Sequence, residues 1–360
     1  MSLARDCAAL FVVGFPGTSP DAEVKKLIDE GVGGVILFKR NVESPAQIAS
    51  LVRGLKTHAG RPLMASVDQE GGRVARLRGA PFTALPAMRT LGASGDLALV
   101  ERAGRLLAFE CRAMGFDIDF APVVDVDTNP ANPVIGDRSF HREAEQVAKL
   151  GVALARGLEA GGVASCAKHF PGHGDTSKDS HLDLPSLPHD LKRLREVELV
   201  PFAAYAKAGL ASVMTAHVIF EALEAKLPAT MSQRVLELLR RELGFGGVIV
   251  SDDLEMKAVS EHFTIERAVV EGINAGVDLF LVCHGHSVQR RAIEALVKAV
   301  EKGQVKRERL DEALGRVRAM ERRFVHGPED LASTLGSAQH AQLAAGLSAE
   351  SFTGRDPTER

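Results

Sequence analysis

Short apolar runs alternate with amphipathic stretches along nearly the whole chain. The runs at 8–14, 34–38, 63–67, 118–124, 164–168, 211–216, 247–250 and 277–282 are almost continuously apolar. That pattern is expected of parallel strands covered on both faces. The stretches between them carry helix punctuation. Ser19-Pro20 predicts an N-cap and a first helical residue, with Val24, Leu27 and Ile28 facing inward and Gly31 closing the helix. Ser44-Pro45 repeats the device, with Ile48, Leu51, Val52 and Leu55 inward and Gly60 as the stop. Further helices are predicted at 143–160, 190–208, 232–243 and 288–302, and one more follows at 307–324. Eight strands joined by eight crossovers predict an α/β fold, a single (β/α)8 barrel with an additional C-terminal helix. An open doubly wound sheet is disfavoured because no Gly-x-Gly-x-x-Gly follows the first strand. The barrel is expected to span 1–345, and the polar tail 346–360 to be frayed.

Composition narrows the function. The 360 residues are 45% hydrophobic and 25% charged, with a net charge of −3, which gives no electrostatic footprint for nucleic acid or an anionic membrane. With no Trp and one Tyr, sugar recognition would have to rest on polar groups. Cys7, Cys111, Cys166 and Cys283 are scattered without metal-type pairing and are expected to be small buried residues in a reducing compartment. The N-terminal apolar run is expected to be a buried strand rather than a signal peptide, which favours the cytoplasm.

The polar clusters follow strand ends, where barrels of this kind build their sites. Asp68-Gln69-Glu70-Gly71-Gly72-Arg73 follows the third strand, and Asp125, Asp127 and Asn129 the fourth. Lys168-His169 ends the fifth, His217 the sixth and Ser251-Asp252-Asp253 the seventh. The densest cluster, KHFPGHGDTSKDSH at 168–181, combines Lys, His, Asp and hydroxyl side chains with a Pro and two Gly, and no apolar core accommodates that composition. Asp252, fixed at a strand end, is suited to act as nucleophile, metal ligand or general base, unless it or Asp253 only caps the next helix. Asp179 and His181, at i and i+2, can form a carboxylate–imidazole pair competent in acid/base chemistry. His169 and His173 straddle Pro171-Gly172 and so cannot share a helix face as zinc ligands do in H-E-x-x-H. No metal and no cofactor is expected.

Four motifs, KHFPGHGDTSKDSH, SVDQEGGRVARL, IGDRSF and VIVSDDLEM, resemble those of the bacterial β-N-acetylglucosaminidases of glycoside hydrolase family 3, in the same order and over about residues 10–325. The resemblance implies a retaining double displacement, with Asp252 as nucleophile and His181, assisted by Asp179, as general acid/base. It implies Asp68, Arg76, Arg138, Lys168 and His169 as sugar-binding residues. It also implies a monomer acting on N-acetylglucosamine-bearing peptidoglycan fragments, with phosphorolysis as the nearest alternative to hydrolysis.

Overall fold

The computed structural model describes residues 2–180 and 183–348. Eight parallel strands form the barrel: β1 (Phe11–Val13), β2 (Gly34–Leu37), β3 (Met64–Val67), β4 (Ile118–Asp119), β5 (Cys166–Phe170), β6 (Ser212–Thr215), β7 (Val248–Asp253) and β8 (Leu279–Val282). Around the ring they run β4-β3-β2-β1-β8-β7-β6-β5. Phe11 pairs with Phe280 where first and last strands meet, and their rings stack 5.4 Å apart. The remaining seam, β4 to β5, is joined by two isolated parallel bridges, Ile118 with Ala164 and Val123 with Lys168. Pro122 carries no N–H, so a continuous ladder cannot form there. Its carbonyl still accepts from Lys168 N at 3.1 Å, and Val124 N donates back to Lys168 O at 2.8 Å.

All eight expected strands are present, most of them shorter than their apolar runs. The first run is split: a helix, Leu3–Ala8, capped by the Ser2 side chain, takes Ala8. The fourth strand stops at Asp119 rather than 124 because of Pro122. The first crossover helix, Ala22–Glu30, is capped by Asp21 and not by Ser19: Asp21 Oδ1 accepts from Val24 N at 2.8 Å. The second, Pro45–Ala59, is capped by Ser44 and closed by Gly60 at φ 58° as the punctuation predicts. The expected helix at 190–208 is two helices, Leu191–Glu196 and Leu199–Lys207. Pro201 cannot donate to the carbonyl of Val197 and its ring crowds it, so the chain must restart. Near the seventh strand, Gln233–Glu237 widens into a π-helical turn at Leu238–Glu242. The helix Arg307–Phe324 has the expected bounds and buries Leu310, Leu314, Val317 and Met320.

All four cysteines are buried thiols. No helix among the described residues is long and apolar enough to cross a membrane. Outside the barrel, Ser186–Leu187 and Ile219–Phe220 pair as a short parallel ribbon that ties the segment after β5 to the one after β6.

The third and fourth crossover helices, Leu97–Ala113 and Ala144–Ala160, pack through glycines. A Cβ on Gly104 would sit 2.1 Å from Leu154 O, and one on Gly157 2.1 Å from Glu101 O. Helix propensity favours Ala over Gly by about 1 kcal/mol. Here each carbonyl belongs to a helix backbone that cannot move aside, and overpacking typically costs about 1–3 kcal/mol. Gly157→Ala is therefore expected to destabilise the protein by up to about 2 kcal/mol, read as a lower urea midpoint. A rise in the midpoint would show that the two helices can separate freely.

Candidate active site

The strand ends open into a cavity of about 340 Å³. Asp68, Arg138, Lys168, His169 and Asp252 line it, together with Phe38, His173, Ser180, Asp253, Glu255 and His284. Asp68 follows β3 and Asp252 lies on β7, four steps apart around a ring of eight, so they face each other across the mouth.

The β3 side is an ionic cluster. Lys168 Nζ lies 2.8 Å from Asp68 Oδ1 and 2.7 Å from Glu70 Oε1. Arg138 grips the same Glu70 with both arms, Nε to Oε2 at 2.8 Å and NH2 to Oε1 at 2.7 Å. Arg76 reaches Asp68 Oδ2 at 3.5 Å; it is buried and is not among the cavity-lining residues. All of these side chains are nearly enclosed, so the charges can persist only by compensating one another. Burial alone would raise the Glu70 carboxyl, but Arg138 and Lys168 outweigh it and hold the group well below the ordinary carboxylate range. Burial likewise opposes charge on Lys168, and Asp68 and Glu70 override it, raising the ammonium above its usual value.

Asp125, fully buried after β4, organises the start of the 168–181 loop. It accepts from His169 Nδ1 at 2.7 Å, from His173 N at 2.7 Å and from His169 N at 3.2 Å. The first contact puts the His169 proton on Nδ1 and leaves Nε2 as the acceptor side of the ring. Burial alone would raise the Asp125 carboxyl, but the attraction and hydrogen bonds of His169 and His173 together outweigh it and lower the group.

On β7, Asp252 is half-buried and its Oδ1 accepts from Asp253 N at 2.8 Å. Asp253 Oδ1 accepts from Glu255 N and Cys283 N, both at 3.1 Å. His217 at the end of β6 donates through Nε2 to Asp253 O at 3.0 Å, and its Nδ1 is hydrogen-bonded to the Thr230 hydroxyl at 2.8 Å. The following helix is Lys257–Ser260, with Met256 as its cap residue. Helix capping therefore does not occupy either Asp, and the side chains of Asp253 and His217 instead brace the strand end that presents Asp252.

Five of the eight residues singled out in the sequence, Asp68, Arg138, Lys168, His169 and Asp252, meet in the cavity wall. Asp179 is half-buried on the adjoining loop beside the cavity-lining Ser180. His181 lies outside the described residues. Glu70 and Asp125 escaped selection although both stand in the quoted clusters. Their signal was a second and a third acidic residue packed among cations and imidazoles, which a buried site must neutralise. Arg73 ties two motifs together, with Nε 2.7 Å from Asp137 Oδ1 and NH2 2.8 Å from Val134 O.

A sequence profile described as "Glycosyl hydrolase family 3 N terminal domain" matches residues 3–320. The chain belongs to glycosyl hydrolase family 3. As a family 3 glycoside hydrolase it is 45% identical over 273 residues to a β-hexosaminidase of Neisseria meningitidis serogroup C, covering 73% of this chain and 74% of that one. It is 37% identical over 370 residues to β-hexosaminidase A of Pseudoalteromonas piscicida, covering 93% of this chain; the match spans 61% of that relative's length. Among solved structures, a family 3 β-N-acetylglucosaminidase from Paenibacillus superposes with a TM-score of 0.91 at 42% identity, over 96% of this chain and 68% of that one. NagZ from Neisseria gonorrhoeae, solved with N-trifluoroacetyl-D-glucosamine, gives 0.77 at 34% identity, over 94% and 96%.

The ionic cluster has a consequence for acid stability. An unfolded Glu70 would take a proton near its ordinary value of 4.5, whereas the folded carboxyl stays charged far below it. Its stabilising contribution is thus fully present above pH 4.5 and is lost as the pH falls below that value toward the depressed folded one. Below pH 4.5 the wild type should lose stability more steeply than Glu70→Gln, by up to about 1.4 kcal/mol per pH unit for one proton. Urea unfolding between pH 5 and 3 measures the two slopes, and equal slopes would contradict the charge assignment.

Proposed function

We propose that this chain is a retaining exo-β-N-acetylglucosaminidase, removing terminal β-linked N-acetylglucosamine from small carbohydrate substrates, specifically peptidoglycan fragments, in the cytoplasm. The observation that carries the reading is the braced Asp252 carboxylate at the end of β7, facing across the cavity the paired donors and acceptor Lys168, Arg138 and Asp68. A cavity of about 340 Å³ lies at the small end of ligand sites, roughly 300–1,000 Å³. That size suits one sugar ring with the rest of the substrate outside. The names of the relatives, β-hexosaminidases and β-N-acetylglucosaminidases, agree with the sugar.

In the proposed reaction an Asp252 oxygen attacks the anomeric carbon. The bond from that carbon to the glycosidic oxygen breaks as the bond to Asp252 forms, and His181 gives its proton to the departing oxygen. Water then attacks the same carbon, passes a proton back to His181, and Asp252 leaves as a carboxylate. Asp179 steadies the imidazolium form of His181 that gives its proton in the first step and is regenerated in the second. Asp68 accepts from sugar hydroxyls, Lys168 and Arg138 donate to them or to the N-acetyl carbonyl, and His169 Nε2 accepts. Arg76 acts on the sugar through Asp68.

Hydrolysis of an aryl N-acetyl-β-glucosaminide, followed by proton NMR with and without phosphate, tests the reading. The first product is expected to be β-anomeric N-acetylglucosamine in both cases; a sugar phosphate would replace hydrolysis by phosphorolysis, and the α-anomer would exclude retention. Asp252→Ala should abolish turnover of every substrate. His181→Ala should lose about 10²–10⁴ on substrates with poor leaving groups and far less in glycosylation by an activated aryl glycoside, which departs without a proton.

A further inference from the structure

His173 and Ser180 line the cavity but have no part in the reaction as drawn above. His173 is enclosed, with Nδ1 2.8 Å from Thr176 Oγ1 and Nε2 2.9 Å from Ser180 Oγ. Neighbours hold both ring nitrogens. Thr176 Oγ1 lies 3.1 Å from the His173 carbonyl, to which it can only donate. It also receives Asn132 Nδ2 at 3.2 Å, and the orientation of that amide is fixed because Asn132 Oδ1 accepts from Val134 N and Ile135 N. The one Thr176 hydrogen has the carbonyl and Nδ1 in reach, and in either case the neutral ring donates through one nitrogen and accepts through the other. Nε2 is bonded to the Ser180 hydroxyl in both arrangements. Burial first, and His169 second, lower the imidazole to about 4, which keeps this arrangement intact at neutral pH.

The loop segment is seated as well as bonded. Asn132 Nδ2 also donates to His173 O at 2.9 Å and Gly174 O at 3.2 Å, and a Cβ on Gly174 would meet Val126 O at 1.8 Å. The His173 backbone is held in turn by Asp125, the residue that fixes His169 in the cavity wall.

We infer that His173 is a positioning residue for the proposed reaction: through its hydrogen bond to the Ser180 hydroxyl it holds the chain at Asp179 and Ser180, and so the carboxylate proposed to steady the acid/base imidazole. The inference rests on the reading of Asp179 and His181 given above. The sugar-facing His169 and the segment that leads to Asp179 then share one anchor, Asp125. A purely structural role for the contact predicts something different, because it would affect all substrates alike.

The test compares kcat/KM for phenyl and 2,4-dinitrophenyl N-acetyl-β-glucosaminides, a poor and an activated leaving group, in four full-length variants. Ser180→Ala removes the hydroxyl, while the backbone contacts Ala258 N to Ser180 O (3.3 Å) and Asp183 N to Asp179 O (3.0 Å) remain to hold the loop. His173→Asn keeps a group near Thr176 and is too short to reach Ser180. Both should widen the ratio between the two substrates by about tenfold, in the same direction as His181→Ala and by less than the full general-acid effect. Ser180→Thr, which keeps the hydroxyl, should restore it. An unchanged ratio in Ser180→Ala, or equal losses on both substrates, overturns the inference provided His181→Ala does widen the ratio. If His181→Ala leaves the ratio unchanged, the acid/base assignment itself has failed and takes the inference with it. Should His173→Asn fail to fold, Ser180→Ala decides alone, since it removes only one hydroxyl.

Discussion

Neutralising charge that is nearly shut off from solvent is the constraint on which the β3–β5 side of the cavity depends. Lys168, Arg138, Asp68 and Glu70 come from segments far apart in the chain, and each is enclosed to a degree that an isolated ion would not tolerate. They coexist because every cation has an anion within hydrogen-bonding reach. Removing any one member leaves another uncompensated, so the set behaves as a unit rather than as separate contacts. The arrangement also stiffens the donors: a lysine ammonium held by two carboxylates and a guanidinium gripped in bidentate fashion have little freedom left to lose when a ligand arrives.

The barrel supplies the geometry that lets this cluster face Asp252. Parallel strands place all their C-terminal ends on one rim, and the ring order sets β3 against β7. The β4–β5 seam is the irregular part, and it is also where Asp125 and Lys168 emerge. Bridging at Val123 and Lys168 closes the ring and sets the height of both residues above it. Closure and site construction are thus the same set of hydrogen bonds at that point.

Much of this was legible in the chain. The eight apolar runs, the Ser44-Pro45 cap with its Gly60 stop and the helix at 307–324 all follow from local rules, and the structure contains them. The placement of polar clusters after strand ends marked Asp68, Lys168, His169 and Asp252 correctly as neighbours in space. Local rules failed where a non-local or stereochemical term decided the outcome. Pro122 and Pro201 shortened elements that apolar pattern alone would have extended, and Asp21 out-competed Ser19 as a cap. Glu70 could not be ranked above its neighbours without knowing that residues 138 and 168 converge on it. Asp125 looked like one of several acids until the folded loop brought two backbone amides and an imidazole to it.

The distribution of charge within the cavity gives it a direction. Lys168 and Arg138, with their counter-ions, lie toward β3 and β5, whereas Asp252, Asp253 and Glu255 cluster on and just after β7, with no Lys or Arg among the described lining residues on that wall. A molecule entering this space meets a field that runs from one side of the sugar ring to the other. Neutral hydroxyls gain from the polarised, self-compensated side, while positive charge gathering at a ring carbon is favoured only beside the acids. The pocket therefore sorts ligands by where they carry charge as well as by shape. A ring bearing a protonated nitrogen at the carbon nearest Asp252 should sit better than its isomer with the charge on the opposite edge, although both have the same size and net charge.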